Sequence, residues 1–91
     1  MATETEVEEL VEVETTITDQ KNLVIYNDDY NTFDHVIESL VKVCKHEAIQ
    51  AEQCTWIIHH NGKCAVKNGS FEDLRPMRHA LSARGLDAKI H

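Results

Sequence analysis

Seven of the chain's 16 acidic residues, and none of its nine basic ones, fall in the first twenty positions, MATETEVEELVEVETTITDQ. Glu4, Glu6, Glu8, Glu9, Glu12, Glu14 and Asp19 repel one another, and the segment has no aromatic side chain with which to bury surface. Such a stretch cannot offset its chain entropy by burial, so residues 1 to 20 are expected to form a disordered acidic extension. "VEVETTI" alternates and could pair as a strand in some contexts. What folds must then come from residues 21 to 91, one domain of about 70 residues around a single core. There nine acids face nine bases, so the net charge of -7 belongs to the extension.

That balance excludes the basic stripe of a nucleic-acid footprint. No run is long and apolar enough to span a bilayer, and no signal or transit peptide opens the chain. Cys44, Cys54 and Cys64 are odd in number and form no C-x-x-C pair. A reduced, cytoplasmic setting is expected, with neither nucleic acid nor membrane as partner.

The hydrophobic period predicts strand, helix, helix, strand, helix, strand. Leu23 to Tyr26 is a short apolar run ended by turn residues, hence a strand. From Thr32 on, Phe33, Val36, Ile37, Leu40, Val41 and Cys44 recur at helical spacing, with Asn31 or Thr32 as cap. A second helix is predicted from about Glu47 to His60, with Ala48, Ala51, Cys54, Thr55 and Ile58 as its inner stripe and Asn61-Gly62 as its stop. "KCAVK" reads as a short strand and "NGS" as a turn. Ser70 with Asp73 resembles a capping box for a third helix to about Arg84, in which Pro76 implies a kink or a start near Arg75. Gly85 closes that helix, and "LDAKI" alternates as a last strand. The implied fold is an α+β domain, a small three-stranded antiparallel sheet with three helices on one face in the order β-α-α-β-α-β.

Two features could carry chemistry. Asn27-Asp28-Asp29 places three oxygen-bearing side chains where the first strand ends, although Asn and Asp also serve plain turns there. His59 lies at the rim of the second helix's apolar stripe and in its last turn, where a histidine is often just a satisfied half-buried ring. His60, one position round, is expected to be solvated, and Trp56 lies off the inner stripe. If the fold joins the acceptors to His59, the surroundings suit a small cation with several donors, such as a primary ammonium. Phe33, Val36, Thr55, Ile58 and Leu86 could floor an apolar pocket beneath it. The first residue of a polypeptide presents both an ammonium and a side chain. Other chemistries fit less well. The loop lacks the spaced acids and glycine of a calcium site, no Cys or His pair has zinc-ligand spacing, and no phosphate loop is present. Cys44 and Cys54 read as small core residues and Cys64 alternates within a strand, so no thiol is evidently activated.

"NDDYNTFDHVIESLVKVCKH" followed by "AEQCTWIIHHNGKC" resembles the ClpS family of adaptor proteins, which deliver N-degron substrates to Clp proteases. The resemblance runs over about residues 22 to 90. It implies that Asn27, Asp29 and His59 hold the substrate's α-amino group and that Asp28 holds the peptide backbone just after the first residue. The implied side-chain pocket is lined by Asn31, Phe33, Val36, Leu40, Thr55, Ile58 and Leu86. Many members have Met where this chain has Phe33 and Thr55. Glu72 is the implied residue for docking on the unfoldase.

The function implied is binding without catalysis, with no cofactor and no metal. A monomer would recognise chains that start with Leu, Phe, Tyr or Trp. It would hand them to the N-terminal domain of a Clp-family Hsp100 unfoldase of the ClpA or ClpC type. A second reading keeps the fold but not the pocket: a regulator that docks on the unfoldase and alters its substrate choice. A third, a Cys-dependent hydrolase acting at N-termini, would need an activated thiol.

Overall fold

The apolar run around Leu23 forms the middle of the sheet. In the computed structural model, which describes residues 20 to 91, it lies in strand β1 (Gln20–Tyr26), between β2 (Lys63–Ser70) and β3 (Asp87–Ile90). Both pairings are antiparallel. Successive side chains of a strand point to opposite faces. Leu23 and Ile25 accordingly share the face under the helices and are fully buried in the core, which Val24 does not join. Of the expected acidic extension, residues 1 to 19 lie outside the described residues, and Gln20 already belongs to β1.

Three helices complete the order β-α-α-β-α-β that the hydrophobic period predicts: α1 (Phe33–Cys44), α2 (Ala48–Asn61) and α3 (Phe71–Ala83). Thr32 is the cap of α1, its Oγ1 accepting from the His35 N–H at 3.1 Å. This satisfies one of the donors that a helix start leaves open. At the end of α2, Gly62 takes φ 91° and its N–H donates to the Ile58 carbonyl at 2.9 Å. A side chain would be strained at that φ, which is why the helix stops on glycine.

Two local expectations are corrected, and of the two alternatives for Pro76 the later start is not taken. β2 runs on through Asn68 and Gly69, read as a turn, because Asn22 and Lys21 extend β1 and supply their partners. The inner stripe of α2 is narrower than expected: Ala51, Thr55 and Ile58 are buried, Cys54 is half-buried and Ala48, in the first turn, is exposed. α3 starts at Phe71 and takes Pro76 inside it. Its first turn is held by Ser70, whose Oγ accepts from the Asp73 N–H at 3.1 Å, and by burial of Leu74. These outweigh the one backbone bond that proline removes.

Leu40 and Cys44 of α1, Ile58 of α2 and Leu81 of α3 meet Leu23 and Ile25 in one cluster. Leu40 is 0% exposed, and truncation of such a leucine to alanine costs about 2–5 kcal/mol. A polar tie also crosses from α1 to the end of α3. His35 Nε2 donates to the Arg84 carbonyl at 2.8 Å, and Arg84 Nε donates to Ser39 Oγ at 2.8 Å. This sets the first turns of α1 against the turn that follows α3.

Candidate functional site

The residues between β1 and α1 are tied to two distant turns. The Asn27 N–H donates to the Gly62 carbonyl at 2.8 Å, which pins the end of β1 to the end of α2. His59 lies in that same last turn. At the other side, Asn31 Nδ2 donates to the Gly85 carbonyl at 2.9 Å. Gly85 has φ 88°, a backbone state suited to glycine, so the carbonyl is presented by a turn few other residues would form.

Asp28 organises the loop between these ties. Its Oδ1 accepts from the N–H groups of Tyr30 (2.8 Å) and Asn31 (2.9 Å), and its Oδ2 accepts from Asn31 Nδ2 at 2.7 Å. Burial pushes this carboxyl up. Donation by the Asn31 and Tyr30 N–H groups and by the Asn31 amide outweighs burial, His35 adds to the pull, and the group lies below its ordinary 3.8.

Around this loop the structure brings nine of the eleven expected binding and pocket residues to one cavity of about 310 Å³. Asn27, Asp28, Asp29 and Asn31 line its polar side together with His59 of α2. Phe33 and Val36 of α1 and Thr55 and Ile58 of α2 line the rest. Thr55 is buried, and its hydroxyl donates to the Ala51 carbonyl at 2.7 Å, so the cavity meets little of its polarity. Among the described residues no Lys or Arg lines the cavity. A lining that joins acceptor side chains to apolar walls suits a cationic donor carried on an apolar body.

Leu40 and Leu86 are the exceptions. Both are buried in the core and neither lines the cavity. Leu40 sits one turn beyond Val36, about 6 Å further along the helix axis, and packs in the core cluster. Leu86 is drawn inward where α3 gives way to β3, its N–H donating to the Leu81 carbonyl at 3.0 Å. Glu72 lies apart, exposed in the first turn of α3 and 3.6 Å from Arg75.

The aromatic residues add to what was expected. His60 is exposed, as expected, and it also stacks on Trp56, with centroids 5.2 Å apart and planes 11° from parallel. Trp56 in turn meets Phe33, a cavity wall, edge-on at 4.8 Å and 62°. Trp56, His59 and His60 are spaced i, i+3 and i+4, which in a helix makes them neighbours. That spacing is visible in the sequence, but the Phe33 contact crosses between helices and is not.

Neither Cys44 nor Cys64 is poised for attack. Burial pushes Cys44 up to about 11, and burial together with the neighbouring Cys54 thiol pushes Cys64 up to about 11. Both are neutral thiols near pH 7, and the thiolate is the nucleophile. Among the described residues no group of three or more His, Cys, Asp and Glu side chains is placed to hold a metal ion. No helix there is long and apolar enough to cross a membrane.

Known proteins share both the sequence pattern and the fold. The family model for the ATP-dependent Clp protease adaptor protein ClpS matches residues 17–89. The E3 ubiquitin-protein ligase UBR1 of Drosophila melanogaster is 36% identical over 55 residues, which is 60% of this chain and 3% of the length of that much longer protein. The structure of Agrobacterium tumefaciens ClpS2 bound to L-phenylalaninamide superposes with a TM-score of 0.71 over 80% of this chain and 98% of that one. At 14% identity that likeness speaks for the fold alone. With the family model covering the whole described domain except its last two residues, the chain belongs to the ClpS family of ATP-dependent Clp protease adaptor proteins.

Proposed function

We propose that this chain binds the free α-amino group and the bulky apolar first residue (Leu, Phe, Tyr or Trp) of N-degron substrates. It then delivers them to an ATP-dependent Clp unfoldase of the ClpA or ClpC type. The observation that carries this reading is one cavity lined both by the acceptor-bearing side chains of Asn27, Asp28, Asp29, Asn31 and His59 and by Phe33, Val36, Thr55 and Ile58, with no Lys or Arg among the described residues lining it. Asn27, Asp29 and His59 take the three ammonium hydrogens. Asp28 already accepts three hydrogen bonds, and a carboxylate has about four lone-pair sites, so one remains for the N–H that follows the first residue. Phe33, Val36, Thr55 and Ile58 receive the side chain, and Asn31 closes the rim.

The size of the cavity supports a single residue as ligand. At about 310 Å³ it lies at the small end of ligand pockets, which run from about 300 to 1,000 Å³. L-Phenylalaninamide, the ligand of the Agrobacterium relative, joins a free amine to an aromatic side chain and is of this class. Glu72, exposed and outside the cavity, is the docking residue in this scheme, which leaves the pocket open while the adaptor sits on its unfoldase.

A peptide starting with Leu or Phe, compared with its Nα-acetylated twin, tests the reading. Acetylation removes the charge and donors and leaves the acceptors that the bound peptide covers unpaired, a loss of about 2–5 kcal/mol, or roughly 30-fold or more in affinity. Asn27→Ala and His59→Ala should each weaken binding without unfolding the domain. Equal affinity for the free and acetylated peptides would overturn the assignment, and failure to bind either would favour a regulator without a pocket.

A further inference from the structure

We infer that Trp56 is a positioning residue that sets the width of this cavity by holding Phe33 in place; the inference rests on the amino-terminus reading above. A helical side chain leans back over the turn on the N-terminal side of its own Cα. Phe33 is the first residue of α1, so no preceding turn of its own helix lies under it. The ring is half-buried, and an aromatic support reaches it from across the helix pair: the Trp56 edge contact at 4.8 Å.

Trp56 is itself 47% exposed, and a tryptophan so placed would be free to turn if nothing braced it. His60 lies flat against it at 5.2 Å, and His59 meets it edge-on at 6.4 Å and 79°. The rings therefore form a connected array. It begins at the apolar wall with Phe33, passes through Trp56 and ends at His59, on the acceptor side of the same cavity. The side that measures the first side chain and the side that faces its ammonium are braced by one residue.

The consequence is selectivity. A β-branched first residue is widest at Cβ, where a fixed Phe33 crowds it, whereas Leu branches one carbon later. A Phe33 ring released from Trp56 can give way, at the cost of a looser fit for Leu. An edge-to-face aromatic pair favours one ring position by roughly 2- to 12-fold, which sets the size of the effect.

The test compares Leu-start and Val-start peptides against the wild-type chain, Trp56→Phe, Trp56→Ala and His60→Ala, with thermal unfolding of each. In Trp56→Ala the Leu-start affinity should fall roughly 2- to 12-fold, with little or no loss for Val-start, so that the ratio narrows. Trp56→Phe, which keeps an aromatic edge, should restore most of the ratio. His60→Ala, which removes only the brace, should narrow it in part, and it decides the matter if Trp56→Ala does not fold. A wild-type ratio in these variants, an equal loss for both peptides, or no rescue by Phe overturns the positioning role while the pocket stands. A wild-type chain that binds neither peptide overturns the pocket and this role together.

Discussion

Replacing Asp28 by Ala removes the acceptor for three hydrogen bonds at once, and the cost follows from their kinds. The two that Oδ1 accepts from the Tyr30 and Asn31 N–H groups resemble a helix cap, whose loss costs about 1 kcal/mol apiece. The third, from Asn31 Nδ2 to Oδ2 at 2.7 Å, is charge-assisted but half-exposed, so about 1 kcal/mol is a fair figure. Asn31 then loses its orientation and with it the tie to the Gly85 carbonyl. Equilibrium urea unfolding of Asp28→Ala should therefore show a loss of about 2–3 kcal/mol, together with weaker binding of a Leu-start peptide. Asp28→Asn should recover only part, because its amide nitrogen would face the Asn31 amide donor. The pH dependence has a defined sign. The folded-state value lies below the ordinary 3.8, so the contribution of Asp28 is complete well above 3.8 and is lost as pH falls through the folded value. Below that range the gap between the wild-type and Ala variants should be narrower than at neutral pH. An Ala variant within 0.5 kcal/mol of wild type, on the scale of an ordinary surface change, and with unaltered peptide binding, would refute the claim that Asp28 holds the loop.

Other consequences are open to direct measurement. Cys44 and Cys64, each pushed up to about 11, should react slowly with iodoacetamide near neutral pH in the folded chain and quickly once unfolded; rapid native labelling of either would contradict a neutral thiol there. Glu72→Ala should weaken the affinity for an isolated Clp unfoldase N-terminal domain and leave Leu-start peptide affinity unchanged; unaltered docking would move the interface elsewhere. Deleting residues 1 to 17, which leaves every described cavity residue in place, should leave peptide binding intact and abolish Clp-dependent degradation of an N-degron reporter. Delivery at full rate would reduce the acidic segment to a solubilising appendage.

What could be read from the residues divides along a physical line. Element order was legible because its signals are local: a hydrophobic period, the Thr32 and Ser70 caps, and glycines at Gly62 and Gly85 where the chain must turn left-handed. Element ends were less so. Asn68 and Gly69 have turn chemistry, and only the register that pairs them with Asn22 and Lys21 makes them strand. Leu40 and Leu86 carry the right character for a pocket wall, and depth alone separates wall from core, which no spacing reports.

The site shows the same division, and it bears on the two readings of Asn27-Asp28-Asp29. One made them ordinary turn residues and the other acceptors for a cation. Three hydrogen bonds fold the loop back on Asp28, so the turn reading holds for that residue. Asn27 is fixed instead through its backbone, by the bond from its N–H to the Gly62 carbonyl, which leaves its side-chain amide to line the cavity. Asp29 lines the cavity too, beside a neighbour that has already met the loop's needs. A lone acidic residue could not both build the turn and face a ligand with a full carboxylate. Under the proposed function the two divide the work: Asp28 holds the loop and keeps one acceptor site for the peptide backbone, and Asp29 offers its carboxylate to the ammonium.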